Sequence, residues 1–410
     1  MNTASIRRSL EEGMFWKKVV RRLLLDREGY RLLAPLWLGA RVVPNKIVCA
    51  SFNGQFHTDN PALIADELLS QRPDLDIVWL VSDAVSPSRR GAFRVVPFHS
   101  WYALWELATA RIWINNVRMM YPIAKKRTQF YVQTWHSCFG VKTIEKDAAD
   151  TLPPRYWSTA QRDSRICDLM LSGNRWFSDL CRSAFLFKGE LLKCGEPRLD
   201  NLFCHDEADA SAMRTRLGLG TDETVVLYAP TFRKDFSASS YITDFSMISD
   251  AFGRRTGRAT RFLLKFHPNA EQLFKSKTFS ENVRVVKDVP NIQELYAISD
   301  FLITDYSSVM FEFALLGKPV FLYMNDFAEY TKERKLCYSL SELPFPIAFS
   351  LSELAETIKN SEAAAMEWQA KVEQFFRTLG LYEIGKATQS VVDRILRELP
   401  PESGVQSKSL

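Results

Sequence analysis

Long apolar runs and paired cysteines are both missing from this sequence of 410 residues. No apolar run reaches the roughly 20 residues that a membrane-spanning helix requires, and the charges at residues 7–12 argue against a signal peptide. The seven cysteines are odd in number and contain no C-x-x-C pair, which argues against a disulfide framework and a cysteine zinc site. We therefore expect a protein of a reducing cytoplasm.

The sequence also lacks a recognisable set of metal ligands and a large excess of charge. No carboxylate cluster resembles a two-metal site, so we expect no metal ion and no other cofactor. The formal net charge is only +5, which is too small to indicate a nucleic acid partner. A hydrophobic content of 46% over this length is typical of a globular protein with two domains.

The basic charge is concentrated in residues 1–45. They contain nine Lys or Arg and four acidic residues, so their excess of five equals that of the whole chain. Within 15–24 (FWKKVVRRLL), pairs of apolar residues alternate with basic pairs, which a helix would place on opposite faces. We predict a basic amphipathic segment that lies in an anionic membrane surface. The alternative is an ordinary surface helix that packs its apolar face on the protein.

From Lys46 onward, short apolar strands alternate with helical stretches, which predicts an α/β protein of parallel βαβ units with helices on both faces. A looser stretch at 195–224 divides this pattern. We predict Rossmann-like, doubly wound domains at 46–205 and at 206–398, the second with terminal helices, and a disordered tail at 399–410. The predicted elements are a helix at 61–71 and strands at 47–52, 77–82, 110–116, 129–135, 224–230, 261–268, 282–288, 300–305 and 318–324.

The turn after the strand at 300–305 carries the strongest local signal for a ligand site. Asp305, Ser307 and Ser308 lie between that strand and a helix, where hydroxyls and backbone N–H groups favour a phosphate. Glu312 follows one helical turn later, within reach of ribose hydroxyls. The alternative for an isolated motif of this kind is a simple helix N-cap.

Two further residues follow strands of the C-terminal half, where ligands of doubly wound sheets bind. His267 ends the strand at 261–268 and would face the predicted cleft, with Lys265 pointing to the same side. Arg233 follows the strand at 224–230, and its planar guanidinium could hold a phosphate. Each of them, taken alone, is more simply a solvated loop residue.

His136 is the candidate base of the N-terminal half. It follows a predicted strand, and histidine is the side chain best suited to accept a proton near neutral pH. The alternative is a ring packed on Trp135. Lys142 follows in a loop whose charges could simply be solvated, and Arg198 lies in a turn that pairing with Asp200 would fix.

Together these segments resemble the CDP-glycerol glycerophosphotransferase family of teichoic acid and capsule polymer synthesis. The resemblance covers nearly all of 46–330, in the family's order: SFNGQFHTDNP (51–61), QTWHSCFGVKTIEKD (133–147), GEPRLDNL (195–202), YAPTFR (228–233), KFHP (265–268) and NIQELYAISDFLITDYSSVMFEFALLGKPVFLY (291–323). The last segment is long enough to be specific. The family pattern W-H-G-T-P-x-K-K is one residue longer here, between Trp135 and Lys142, in the loop expected to touch the acceptor.

The resemblance implies a GT-B-like pair of Rossmann domains that face a cleft, with the nucleotide in the C-terminal one. It also implies peripheral association with the cytoplasmic face of the cell membrane. It implies that His136 is the base, that His267 contacts the donor diphosphate and that Ser307 and Ser308 hold phosphate. We count as substrate-binding residues Arg233, Asp305, Ser307, Ser308, Glu312, Lys142 and Arg198.

The activity implied is transfer of a polyol phosphate, glycerol phosphate first, from CDP-glycerol or a related CDP-polyol. The acceptor would be a hydroxyl of a lipid-linked or polymer chain, and CMP would be released. Two alternatives stay open: a GT-B glycosyltransferase or epimerase that uses a UDP-sugar, and a non-catalytic scaffold of a capsule assembly complex. The sequence also leaves open glycerol against ribitol, and priming against polymerisation.

Overall fold

The computed structural model describes residues 37–119, 121, 123–203, 207–233, 238–266, 270, 274, 277–382 and 385–402. Most of the predicted basic segment at 1–45, all of it before Trp37, lies outside these residues, and so does His267. Within the described ranges, no helix combines the length and the apolar character needed to cross a bilayer.

The first sheet is built from the N-terminal half of the chain. Its eight strands are Val43–Ala50 (β1), Asp76–Val81 (β2), Ser88–Arg90 (β3), Phe93–Pro97 (β4), Ala110–Asn115 (β5), Phe130–Gln133 (β6), Leu169–Ser172 (β7) and Glu190–Lys193 (β8). Their spatial order is β3-β4-β2-β1-β5-β6-β7-β8, and all neighbours are parallel except β3 and β4. Central strands such as β1 and β5 have helices on both faces, which explains the continuous apolar runs at 47–50 and 112–114.

The second sheet is entirely parallel. Its strands are Thr224–Tyr228 (β9), Thr260–Leu264 (β10), Val283–Val285 (β11), Phe301–Thr304 (β12), Val320–Tyr323 (β13) and Ile347–Ala348 (β14), in the order β11-β10-β9-β12-β13-β14. All five residues of β9, the strand predicted at 224–230, are buried.

The α-helices of the described residues are Asp59–Gln71 (α1), Trp101–Thr109 (α2), Pro154–Ile166 (α3), Arg175–Ser183 (α4), Pro197–Asp200 (α5), Glu207–Arg216 (α6), Ser246–Thr256 (α7), Ile292–Ile298 (α8), Val309–Ala314 (α9), Phe327–Glu333 (α10), Leu351–Leu379 (α11) and Ala387–Leu396 (α12). Three of them begin after a residue whose side chain accepts an N–H of the first turn: Ser100, Asn174 and Ser350. The long helix α11 ends at Gly380, whose φ of 68° is the left-handed conformation that glycine adopts easily.

The predicted α/β fold with two doubly wound sheets is confirmed, and each predicted strand matches one in the structure. The strands β3, β4, β7, β8 and β14 were missed. Two of them, β3 and β14, have only three and two residues, too few for the alternation of side chains to show.

The last helix, α12, packs on the first sheet although the sequence analysis counts it with the second domain. Its residues Val391, Val392 and Ile395 share a buried core with Ile47 of β1. The carboxylate of Asp200 accepts the backbone N–H groups of residues 387 and 388, at 3.0 and 2.7 Å, at the start of this helix. The bounds of the two domains therefore stay a prediction.

The disordered tail at 399–410 stays a prediction. Its first residue, Leu399, is only 8% exposed and belongs to the same core as α12. Residues 403–410 lie outside the described part of the chain.

Candidate active site

Loops at the carboxyl ends of both sheets meet where the two halves of the chain face each other, a region called the gap below, and side-chain hydrogen bonds cross it. Thr58, after β1, donates its hydroxyl to Asn291 Oδ1 at 2.9 Å, and Asn291 precedes α8 of the second sheet. Ser137, after β6, donates its hydroxyl to Glu312 Oε1 at 3.3 Å, and Glu312 belongs to α9. The gap is therefore bounded by residues that follow strands of both sheets.

Arg198 is the centre of a buried charge cluster in this gap. Its Nε lies 2.9 Å from Glu196 Oε2, its Nη2 2.5 Å from Glu312 Oε1, and its Nη1 3.5 Å from Asp59 Oδ2. The predicted pair with Asp200 is wrong, because residues two apart in the short helix α5 lie on different faces. Arg198 instead ties the two sheets together, and its predicted contact with a substrate stays a prediction.

Glu312 is almost completely enclosed, with 1% of its surface exposed. Its second oxygen, Oε2, accepts hydrogen bonds from Gln293 Nε2 at 3.2 Å and from the Tyr296 hydroxyl at 3.3 Å. Burial raises its pKa to about 7 in spite of Arg198, and the carboxylate of Glu196 acts in the same direction as burial. Both oxygens already have protein partners, so the predicted contact with a ribose stays a prediction.

His136 is held in one orientation at the edge of the gap. Its Nδ1 lies 2.8 Å from the backbone oxygen of Asn116, and because a carbonyl can only accept, Nδ1 carries the proton. The ring also stacks on Trp135, with 4.5 Å between the centroids. Burial lowers the pKa of His136 below its ordinary value, so the ring is neutral near pH 7 and Nε2 has a free lone pair. A general base requires this protonation state.

Asn116 is a site residue that the sequence analysis missed. It is fully buried after β5, where its Oδ1 accepts the N–H of Phe52 at 2.8 Å and its Nδ2 donates to Asp59 Oδ1 at 3.0 Å. These bonds fix the backbone carbonyl that orients His136. The sequence contained a signal for it, because Asn115 and Asn116 come at the end of an apolar strand, at the same edge of the sheet as His136.

The backbone around His136 is unusually constrained. Phe52, Asn53, Asp59 and Trp135 all have positive φ values, of 44°, 59°, 59° and 54°. Residues with a Cβ rarely adopt this conformation, and such residues concentrate at functional sites, where the surrounding contacts hold them.

Arg233 is buried and paired within the second half of the chain. Its Nη2 lies 2.8 Å from Asp305 Oδ2, its Nε lies 2.6 Å from Asp326 Oδ2, and its Nη1 donates to the backbone oxygen of Thr231. Asp305 also accepts the N–H of Thr231 at 2.9 Å. The charges of Arg233 and Asp305 are thus neutralised by protein groups. Their predicted phosphate contacts stay predictions, and this geometry favours a structural role.

Ser307 and Ser308 are half-buried at the turn between β12 and α9. Ser308 does not cap the helix with its side chain, and neither hydroxyl has a hydrogen-bond partner among the described residues. Their donors remain available for a ligand, and the same short helix carries Glu312, to which Ser137 is bonded.

Lys142 lies in the loop after His136 and reaches the second half of the chain. Its Nζ is 5.9 Å from the ring centroid of Tyr330. Burial lowers its pKa to about 8, while the carboxylate of Asp305 acts in the opposite direction.

His267, the other predicted catalytic residue, lies outside the described residues, and its role stays a prediction.

Lys265, predicted to point with His267 toward the cleft, donates its Nζ to the backbone oxygen of Val289 at 2.7 Å. Within the described part of the chain, no group of three His, Cys, Asp or Glu residues is placed to hold a metal ion.

Comparison with known proteins gives consistent matches across the chain. A family model described as CDP-glycerol:poly(glycerophosphate) glycerophosphotransferase matches residues 33–397. The teichoic acid poly(glycerol phosphate) polymerase of Staphylococcus epidermidis is 31% identical over 87% of this chain and 51% of that protein. The teichoic acid glycerol-phosphate transferase of Staphylococcus aureus is 28% identical over 87% of this chain and 94% of that protein. This chain thus spans about half the length of the first relative and nearly all of the second.

The fold agrees with these matches. A solved structure of the wall teichoic acid polymerase TagF superposes with a TM-score of 0.79 at 27% identity, and the match covers 97% of this chain and 98% of that chain. The GT-B-like architecture expected from the sequence is confirmed, and the family model includes both sheets and the gap between them. The chain therefore belongs to the CDP-glycerol:poly(glycerophosphate) glycerophosphotransferase family.

Proposed function

We propose that this protein transfers a polyol phosphate from a CDP-activated donor to a hydroxyl of a membrane-linked surface polymer, with release of CMP. The observation that carries the proposal is the family match over 33–397. The matched range contains His136, whose Nε2 is free at the gap. Both staphylococcal relatives are named for glycerol phosphate, so glycerol is the first polyol to test.

The reaction is a direct displacement at phosphorus. His136 Nε2 accepts the proton of the acceptor hydroxyl, and that oxygen forms a bond to the β-phosphorus of the donor. The bond from the β-phosphorus to the bridging oxygen breaks, and the electron pair leaves with CMP. Ser307, Ser308 and Lys142 donate hydrogen bonds to the phosphates. Positioned donors and charges supply most of the catalysis of phosphoryl transfer, so this set of groups is chemically sufficient.

Arg233 and Arg198 act indirectly in this proposal. Arg233 fixes Asp305 and with it the backbone that leads to Ser307. Arg198 fixes Glu312 in the helix that follows the same serine. Each arginine is a positioning residue, because its guanidinium is already bonded to buried carboxylates.

The donor is tested by ligand-induced stabilisation together with CMP release. CDP-glycerol should raise the melting temperature, since a ligand at a hundred times its Kd adds about 2.7 kcal/mol to stability. CMP should appear when a lipid-linked acceptor is added. CDP-ribitol serves as the matched comparison, and a UDP-sugar is the negative control. Stabilisation by the UDP-sugar alone, without CMP release from either CDP-polyol, would refute the proposed function.

The same proposal places the protein on the cytoplasmic face of the membrane, bound peripherally. An aromatic patch of Trp101, Tyr102 and Trp105, exposed by 39, 57 and 50%, supports it, together with the aliphatic Leu38, which is 51% exposed. Trp101 stacks on Trp37, the first residue of the predicted basic segment at 1–45 that the structure describes. Exposed aromatic side chains beside a basic segment are typical of proteins that bind anionic lipid surfaces.

Replacing Trp105 with glutamine should weaken binding to phosphatidylglycerol vesicles about tenfold, because burial of one large apolar side chain contributes at least that factor. Vesicle co-sedimentation measures the effect. Met366→Gln is the matched control, since Met366 is 86% exposed on α11, away from the aromatic patch. Equal binding by both variants and the unchanged protein would exclude the patch from the membrane contact.

A further inference from the structure

A short two-stranded ribbon joins the two halves of the chain beside the gap. Residues 141–143 pair with residues 335–337 in antiparallel fashion. The N–H of Cys337 donates to the backbone oxygen of Val141 at 2.8 Å, and the N–H of Thr143 donates to that of Lys335 at 2.9 Å. Lys142 thus lies opposite Leu336.

The ribbon brings two basic side chains to one face. Side chains alternate along a strand, so Arg334, two residues before Leu336, shares a face with Lys142, while Lys335 points to the other face. The exposure agrees: Lys142 and Arg334 are half-buried and Lys335 is exposed.

Neither cation of this face is neutralised by protein. Among the residues that the structure describes, Lys142 and Arg334 form no ion pair, and no hydrogen bond of either side chain is present. The ribbon sets Lys142 opposite Leu336, two residues from Arg334, and the charge of Arg334 adds to burial in lowering the pKa of Lys142. Asp305, the acid that acts on Lys142, is already bonded to Arg233.

We infer that Lys142 and Arg334 form one anion site, built from both halves of the chain, that takes a phosphate group of a ligand in the gap. Two half-buried like charges without a counterion are unfavourable unless an anion joins them. A planar guanidinium and a compact ammonium together suit a phosphate, through two parallel hydrogen bonds and a point charge. The inference rests on the proposed function and adds Arg334 to its binding residues.

The phosphate has two sources in the proposed reaction: the diphosphate of the donor and the phosphodiesters of the acceptor chain. Lys142 Nζ lies 5.9 Å from the ring centroid of Tyr330, which stacks on Tyr306, the residue before Ser307. The site is therefore next to the turn where the donor phosphates are proposed to bind. A bound phosphate would also link Lys142 of one half to Arg334 of the other and hold the ribbon closed.

Arg334→Gln should weaken the binding of CDP at least tenfold, as measured by isothermal titration at fixed ionic strength, because a charged hydrogen bond to phosphate is lost. Lys335→Gln is the matched control, since it removes the same charge from the adjacent residue on the exposed face. The affinity of this control variant for CDP should fall by less than about twofold, as expected for a screened surface charge. Arg334→Lys should recover part of the affinity, and cytidine, which has no phosphate, should bind all variants equally.

A parallel titration with a glycerol phosphate oligomer identifies the source. If Arg334→Gln weakens the binding of CDP, the site belongs to the donor. If it weakens only the binding of the oligomer, the site belongs to the acceptor. Equal effects of Arg334→Gln and Lys335→Gln on both ligands, or no binding of either ligand by the unchanged protein, would overturn the inference. Failure of the proposed function is distinct: CMP release would then be absent in the unchanged protein while phosphate binding still depended on Arg334.

Discussion

Replacing His136 with alanine should reduce CMP release by a factor of about 10² to 10⁴, the range that a general base contributes, while the binding of CDP-glycerol is retained. The reason is that Nε2 is the one ring nitrogen left to accept a proton, since Nδ1 is bonded to the backbone of Asn116. Single-turnover assays with saturating donor measure the chemical step, and titration with CDP-glycerol measures the binding.

The pH dependence gives a second readout for the same residue. The pKa of His136 is lowered by burial, so its neutral form persists below pH 6.5, the ordinary midpoint of histidine. CMP release should therefore be flat near pH 7 and fall only in more acidic solution. His99→Ala is the control, because His99 packs on Phe98 and Tyr121, outside the proposed site. Near-normal turnover of His136→Ala would exclude the ring as the base.

Replacing Arg198 with methionine should produce the largest loss of stability, about 3–5 kcal/mol, which is the range for a buried charge that loses its partner. The carboxyl groups of Asp59, Glu196 and Glu312 would remain enclosed without their shared guanidinium. Urea unfolding at pH 8 measures the loss. The destabilisation should diminish toward pH 5, because Glu312, whose pKa burial raises to about 7, is then protonated and no longer adds an uncompensated charge to the folded state.

A second substitution should rescue part of that loss. Adding Glu312→Gln to Arg198→Met removes one of the three acids while it keeps an amide in its place, so the double variant should be more stable than Arg198→Met. Lys371→Met is the control, since Lys371 pairs with Glu367 on the exposed surface of α11 and its replacement should leave the stability nearly unchanged. A loss for Arg198→Met no larger than that of the control would contradict the buried cluster.

Most of the strands were predictable because the signal of each is local. Polar residues follow shortly after apolar strands at His136 and Ser307, and parallel strands bring such residues to one edge, which is why both were predicted to belong to one site. The strand at β7 was missed for a local reason as well. Its sequence Leu-Met-Leu-Ser consists mostly of residues that favour helices, and burial in the sheet overrides that preference.

The partners of the charged residues could not be read in the same way. Arg198 lies two residues from Asp200 but bonds to Glu312, which is 114 positions away. Arg233 was assigned to a phosphate, yet its carboxylate partners lie 72 and 93 positions further along the chain. Ion pairs form between groups that are close in the folded structure, and separation along the sequence does not indicate that distance.

The return of α12 to the first sheet has a consequence for the order of events during synthesis. The ribosome releases the strands of that sheet well before residues 387–396, so the part of the Ile47 face that α12 covers stays open while the whole second sheet is being made. The N-terminal half therefore cannot complete its fold as an independent unit during translation. It must wait, with apolar surface open to chaperones, for the last helix to emerge.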